Sequence, residues 1–324
     1  MYRSRIAVPL FFMHTKSPVL SDIQSGIRSI EKEPALRKDS NFMSRMEAID
    51  LLDFHIIDRI EGWLQKEGQN EGLSSLKHHA EQAKRELEMI DINLFQRLRE
   101  KIRTGTYTHP SFGDMIHLYL GYDGSHSCSQ GQMGYDQLDV FLNGLLADRP
   151  IPEPTIAREP EMVFYQKTPA RIIFELKRLA ELKPGDLFFD IGSGLGQVCI
   201  LVNLISGATT RGIEYEPAYY QYAKTSSSQL NLPNVDFINK DARNGDYARG
   251  TVFFLYTPFE GRMLQDMLDI LQKESQKRTI TIFSYGPCSP HVARQDWLYG
   301  NYDGVGNPDQ LYQFRSLVPK KSKT

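Results

Sequence analysis

Residues 186–197 run Asp-Leu-Phe-Phe-Asp-Ile-Gly-Ser-Gly-Leu-Gly-Gln, an apolar strand that ends on a carboxylate and opens into a glycine-rich turn before an apolar helix. The block Leu187, Phe188, Phe189 lacks polar alternation, the mark of a parallel strand covered on both faces. Gly192, Gly194 and Gly196 then permit positive φ and let a ligand lie against bare backbone. Downstream the chain alternates strand and helix. Strands are expected at 186–190, 210–214, 235–238, 251–256 and 279–284, with two late β segments near 294–299 and 311–317. Helices are expected at 197–205, 217–229 and 260–272. Upstream, Thr168 and Pro169 read as N-cap and first residue of another helix, with Ile172, Ile173, Leu176 and Leu179 on its buried face. Such alternation requires right-handed βαβ crossovers. The expected fold class is therefore α/β: a doubly wound, Rossmann-like seven-strand sheet with a helical N-terminal module.

That module is read from a different period. Met46, Ile49, Leu52, Ile56, Ile60 and Trp63 recur every three or four residues, as do Leu73, Leu76, Ala80, Ala83, Leu87, Ile90, Leu94 and Leu98. Two amphipathic helices result, expected to pair antiparallel. Residues 121–134 lack an apolar period and are rich in turn formers, hence a loop; a short apolar helix follows at 135–146. Pro150, Pro152, Pro154 and Pro160 mark an extended linker. The expected division is 1–148 helical module, 149–160 proline-rich linker, 161–319 ligand-binding domain and 320–324 basic tail.

Composition removes several function classes. The 324 residues are 40% hydrophobic, yet the apolar stretch 6–13 is interrupted by Pro9 and falls far short of the ~20 residues that span a bilayer. Arg3 and Arg5 precede it, but no small-x-small cleavage site follows, so the cytoplasm is the expected compartment. Cys128, Cys199 and Cys288 are widely separated and form no C-x-x-C pair, which points neither to disulfides nor to zinc. Cys199 sits in an apolar helix and reads as a core thiol. His78 and His79 are neighbours that a helix turns about 100° apart, so no metal is expected. A net charge of −2 does not suggest nucleic acid; Lys320, Lys321 and Lys323 form the one basic cluster, at the terminus.

A dinucleotide loop wants G-x-G-x-x-G aimed at a pyrophosphate, whereas this loop is G-x-G-x-G followed by Gln197. S-adenosylmethionine has no phosphate, but it has an amino-acid end, a sulfonium, a ribose diol and an adenine. Asp190 closes the first strand, where a carboxylate would accept from the ligand's ammonium. Glu214 closes the second, where it would accept from the ribose hydroxyls. Asp241 follows the third with Ala242 beside it, placed for the adenine amine and ring. S-adenosylmethionine is the expected cofactor.

With these motifs the sequence resembles class I S-adenosylmethionine-dependent methyltransferases over about residues 160–317. More narrowly, 190–198 (Asp-Ile-Gly-Ser-Gly-Leu-Gly-Gln-Val), Tyr165-Gln166-Lys167-Thr168 before a helix, and Gly212-Ile213-Glu214 look like the non-SET histone-lysine methyltransferases of the disruptor-of-telomeric-silencing type. The resemblance implies that Tyr165, Lys167 and Thr168 contact the methionine end of the cofactor, with Asp190, Gly192, Ser193, Gly194, Gly196 and Gln197 around its amino-acid and ribose portions. It implies a protein substrate and a lysine-type acceptor. Two positions depart from that family: Lys167 replaces an acidic residue, and Tyr256-Thr257-Pro258-Phe259 stands where paired asparagines follow strand 4.

Methyl transfer from a sulfonium is an in-line displacement that needs alignment and exclusion of water. Residues after strand 4 stand nearest the methyl, so Tyr256, Thr257 and Phe259 are the candidate acceptor pocket, with Tyr285 in reserve; alternatively Pro258 ends the strand and Phe259 fills core. Three functions stay open. The first is transfer to a protein side-chain nitrogen, an amide, a nucleobase or a small molecule. The others are a cofactor-binding regulatory or assembly protein without turnover, and a nicotinamide oxidoreductase.

Overall fold

The computed structural model describes residues 16–68, 70–123, 135–147 and 149–317. Cys128, most of the 121–134 loop, the 6–13 stretch and Lys320, Lys321 and Lys323 lie outside them. Two compact units divide between Asn93 and Leu94, inside one long helix, and not at the prolines.

The first unit is helical. It comprises α1 (Lys16–Lys32), α2 (Phe42–Asp50), a π-helical segment Leu51–Ile57, α3 (Asp58–Glu67) and the beginning of α4 (Glu71–Arg103). The single helix expected over 42–64 is thus continuous but locally unwound, and α1 was not foreseen. Lys77 pairs with Glu61, Lys84 with Asp53 and Arg45 with Asp91 at 2.6–2.7 Å. Rising numbers on one side of this pairing meet falling numbers on the other, so α4 runs antiparallel to α2–α3. Leu52, Ile56 and Ile60 meet Leu73, Ala80, Ala83 and Leu87 in one core. Arg45, fully buried, also donates to the carbonyls of Leu36 and Lys38.

The second unit begins with the end of α4, then α5 (Ser111–Leu120), α6 (Gln137–Leu146) and α7 (Ala170–Ala180). Its sheet consists of β1 (Leu187–Ile191), β2 (Thr209–Glu214), β3 (Val235–Asn239), β4 (Val252–Tyr256), β5 (Thr281–Tyr285), β6 (Leu298–Gly300) and β7 (Tyr312–Ser316), in the order β3-β2-β1-β4-β5-β7-β6. All neighbours are parallel except at β7, which runs antiparallel to both β5 and β6. The connecting helices are α8 (Gln197–Ser206), α9 (Pro217–Gln229), α10 (Gly261–Ser275) and α11 (Ser289–Ala293). Winding proceeds one way from β1 to β3 and the other way from β1 through β4, which makes β1/β4 the switch point.

The central strands β1, β4 and β5 are buried on both faces. Phe189, Ile191, Phe253, Leu255 and Ile282 pack with Met263, Met267 and Leu271 of α10. Their alternates Phe188, Phe254 and Phe283 are fully buried as well. That explains the runs without polar alternation. One end differs from expectation: Pro169, not Thr168, is the N-cap of α7 and offers it no side-chain cap. The amide of Ala170 instead donates to Asp139 of α6 at 2.8 Å.

Candidate active site

At the β1/β4 switch point a cleft opens at the carboxyl ends of β1, β2 and β4. Asp190, Gly192, Ser193, Gln197 and Glu214 line it. Tyr165 and Thr168 join them from upstream, Ala242 from the end of β3, and Tyr256, Thr257 and Phe259 from the end of β4.

The loop after β1 is held by its own chain. The amides of Gly192 and Ser193 both donate to the carbonyl of Ile213 at 3.0 Å. Glu214 accepts from the amides of Gly194 at 2.7 Å and Glu216 at 2.8 Å. Gly194 and Gly196 are not among the lining residues. A Cβ on Gly194, at φ 51°, would stand 2.2 Å from the Tyr165 ring, and one on Gly196 would meet Phe237 and Ala223. The expected reason for these two glycines was a ligand against bare backbone; the observed neighbours are the chain's own rings.

Two acids share this cleft with no basic partner. Asp190 and Glu214 are only 3% and 9% exposed. Among the described residues neither forms an ion pair. Burial pushes the Asp190 carboxyl well up, and the charge of Glu214 pushes it further. Burial also raises Glu214, only partly offset by the amides that donate to it. Beside them the Oγ of Ser193 and both amide atoms of Gln197 are buried without a hydrogen-bond partner among the described residues. Gln197 starts α8, whose N-terminus has no side-chain cap.

Two expected contacts are placed elsewhere. Lys167 is not among the lining residues: its Nζ donates to Asn143 of α6, and burial lowers its pKa against the pull of Asp139. Asp241 is likewise absent from the lining. Its carboxylate takes Arg243 at 2.6–3.0 Å and the Arg243 amide at 2.8 Å, and the guanidinium holds its pKa below the usual range. Lys240 and Ala242 face the cleft on either side of it.

At β4 the pattern is also self-contained. Thr257 has φ 39°, a left-handed conformation costly for a β-branched residue. Its hydroxyl donates to the carbonyl of Tyr285 at 3.0 Å and accepts from the Cys288 amide at 3.1 Å, which fixes that conformation. Pro258 O accepts from the Val163 amide. Phe259, 6% exposed, both touches the cleft and packs with Met263 and Leu264 in the core. Tyr256 donates to Gln166 at 3.1 Å and leans on Tyr285, ring centroids 4.8 Å apart. Cys199 and Cys288 are buried thiols.

The sequence reading missed the outer wall. Residues 149–160, expected as an extended linker, run on with 161–168 as an arm along the mouth of the cleft. Pro154, Ile156, Arg158, Met162 and Phe164 line it. The carboxylate of Glu216 accepts from the Thr155 amide and hydroxyl and from the Ile156 amide. Arg243 reaches Glu159 at 2.9 Å. Glu161 caps α10 through the Met263 amide at 2.7 Å, and Met162 pairs with Phe259. A signal was present: Glu216-Pro217 is a capping pair at a strand end, and Glu216 does accept from the Ala218 amide.

Among solved structures the chain is similar to an RNA methyltransferase from Salinibacter ruber in complex with S-adenosyl-L-homocysteine, at 21% identity and TM-score 0.39, over 48% of this chain and 95% of that one. It is similar to a SAM-dependent methyltransferase from Thiobacillus denitrificans in complex with the same compound, at 19% identity and TM-score 0.30, over 35% of this chain and 48% of that one. A precorrin-6y C5,15-methyltransferase from Geobacter metallireducens gives 15% identity and TM-score 0.36, over 48% and 94%. The chain therefore spans about half the length of the Thiobacillus protein and nearly all of the other two. No protein-family model matches the chain, and no curated protein matches it.

Proposed function

We propose that the chain is an S-adenosylmethionine-dependent methyltransferase acting on a side-chain nitrogen of a protein, of the lysine type. The observation that carries the cofactor reading is the pair of buried, unpaired carboxylates Asp190 and Glu214 beside the orphaned polar atoms of Ser193 and Gln197. Such a cleft favours a polar ligand that carries positive charge and disfavours a pyrophosphate, so a dinucleotide is the weaker fit. Asp190 would hold the ammonium, and Gln197 with the uncapped α8 N-terminus would hold the carboxylate of the amino-acid end. Glu214, whose oxygens each keep a lone pair after accepting one amide, would take the ribose hydroxyls. Ile213, Val198 and Ala242 supply apolar walls for the adenine. When bound, the cofactor supplies an activated methyl on a sulfonium.

The acceptor reading rests on the mouth. A planar exocyclic amine needs acceptors for two N–H groups. At β4 the Thr257 hydroxyl donates to Tyr285 and the Pro258 carbonyl already accepts the Val163 amide, and beside them stand the rings of Tyr256, Phe259 and Phe164. Aromatic walls suit a slender aliphatic amine, which they strip of water and align. The test is incubation with methyl-labelled cofactor and whole-cell extract, followed by enzymatic digestion and separation of the labelled amino acids, nucleosides and small molecules. Labelled methyllysine is the expected product. Label on glutamine, on nucleobases or on small molecules alone overturns the acceptor class, and absence of cofactor binding overturns the whole reading.

A further inference from the structure

The arm over the cleft is attached in two unlike ways. Its inner half is joined by main chain: Val163 donates to Pro258 at 3.2 Å, and Glu260 to Glu161 at 2.8 Å. Its outer half is not, and Pro150, Pro152 and Pro154 there carry no N–H at all. Among the described residues, no main-chain to main-chain hydrogen bond involves 150–158. The main-chain donors engaged there, the amides of Thr155 and Ile156, go together with the Thr155 hydroxyl to one buried side chain, Glu216. A second side-chain tie, Glu159 to Arg243, lies where the outer half ends.

Resting on the cofactor reading above, we infer that residues 150–158 form a hinged outer wall of the cleft, latched by Glu216 on Thr155 and by Arg243 on Glu159. The two latches set how long the cofactor stays, and they leave the transfer step itself alone. Neither Thr155 nor Glu159 lines the cleft, so both act by positioning Pro154, Ile156 and Arg158, which do. Glu216 is suited to act as a latch, because the Thr155 hydroxyl and the converging amides overcome the opposition of burial to its ionisation and lower its pKa. The latch is thereby a charge-assisted hydrogen-bond set, strong where its donors are aligned and lost together when the segment swings.

The experiment uses the full chain loaded with tritiated S-adenosylhomocysteine and chased with excess unlabelled compound. Thr155→Val combined with Glu159→Gln should speed release by about tenfold, the kinetic equivalent of one lost hydrogen bond to a charged group. Thr155→Ser alone, which keeps both the hydroxyl and Glu159, should release at the native rate. Single-turnover transfer from preloaded enzyme should match the native rate, and the variant should still unfold in one cooperative transition. Deuterium exchange of the native protein supplies a second readout: 150–158 should take up label faster than 161–163, and the bound compound should slow the former. Unchanged release from the double variant, or equal exchange in both halves, overturns the hinge while leaving cofactor binding standing. Failure of the native protein to bind the compound at all removes the cofactor reading and the hinge with it.

Discussion

The ends of β1 and β2 and the ends of β3 and β4 border the same cleft, yet they differ in whether their polar side chains are already engaged. At β1 and β2 two acids, Asp190 and Glu214, are buried with no basic partner among the described residues. At β3 the acid Asp241 is fully paired with Arg243, and at β4 the Thr257 hydroxyl and Phe259 ring are absorbed by a turn and by the core. A strand-end carboxylate buried without a counter-charge, even one that accepts backbone amides as Glu214 does, stores a cost which a cationic ligand relieves, whereas one paired with a guanidinium holds the fold. The difference lies in what stands two residues on, not in the acid.

The largest expected effect tests the structural half. Phe259→Ala should cost about 3–5 kcal/mol of stability, the range for a buried ring, read by denaturant or thermal unfolding. Normal stability with lost transfer would instead make Phe259 a wall of the acceptor channel alone. Next, Glu214→Ala should weaken S-adenosylhomocysteine by about 1.5–3 kcal/mol in calorimetry, the scale for hydrogen bonds to a charged group. It also frees the Gly194 and Glu216 amides that Glu214 now holds. Unchanged affinity would remove Glu214 from the ribose.

A third effect is set by pH. Asp190 and Glu214 have folded pKa values raised above those of the unfolded chain. As pH rises through the unfolded values, the unfolded chain ionises first, so the unliganded fold loses stability until the raised folded values are passed. A bound ammonium favours the ionised acids, so the rise in melting temperature on adding S-adenosylhomocysteine should grow with pH across that window. A shift that shrinks with rising pH would show that the acids do not meet the cation. The smallest effect belongs to the paired acid: Asp241→Asn should change cofactor affinity by less than about 0.5 kcal/mol, since its carboxylate faces Arg243, with that scale typical away from a contact. A loss as large as that of Glu214→Ala would erase the contrast between the two halves.

Sequence alone was sufficient where a local pattern had only one physical outcome. The runs at β1 and β4 are apolar at consecutive positions, so they had to be central strands, and the observed bounds differ from the reading by one residue. Asp190, Glu214 and Gln197 were legible because chain order fixes which residues end at the switch point. Chain contacts at long range were not legible. Nothing local says that Lys167 turns to Asn143, that Asp139 rather than Thr168 serves α7, or that Asp241 is spent on Arg243. Prolines at 150, 152 and 154 fixed an extended segment poor in main-chain donors, and from the sequence that reads as a linker. Only the tertiary structure brought Glu216 within reach of Thr155 and Ile156 and made the segment a wall. Periodicity and chain order determine which groups lie at the strand ends, because backbone hydrogen bonding is local and regular. Which of those groups is left for a ligand is decided by the partners that folding brings to it from far along the chain.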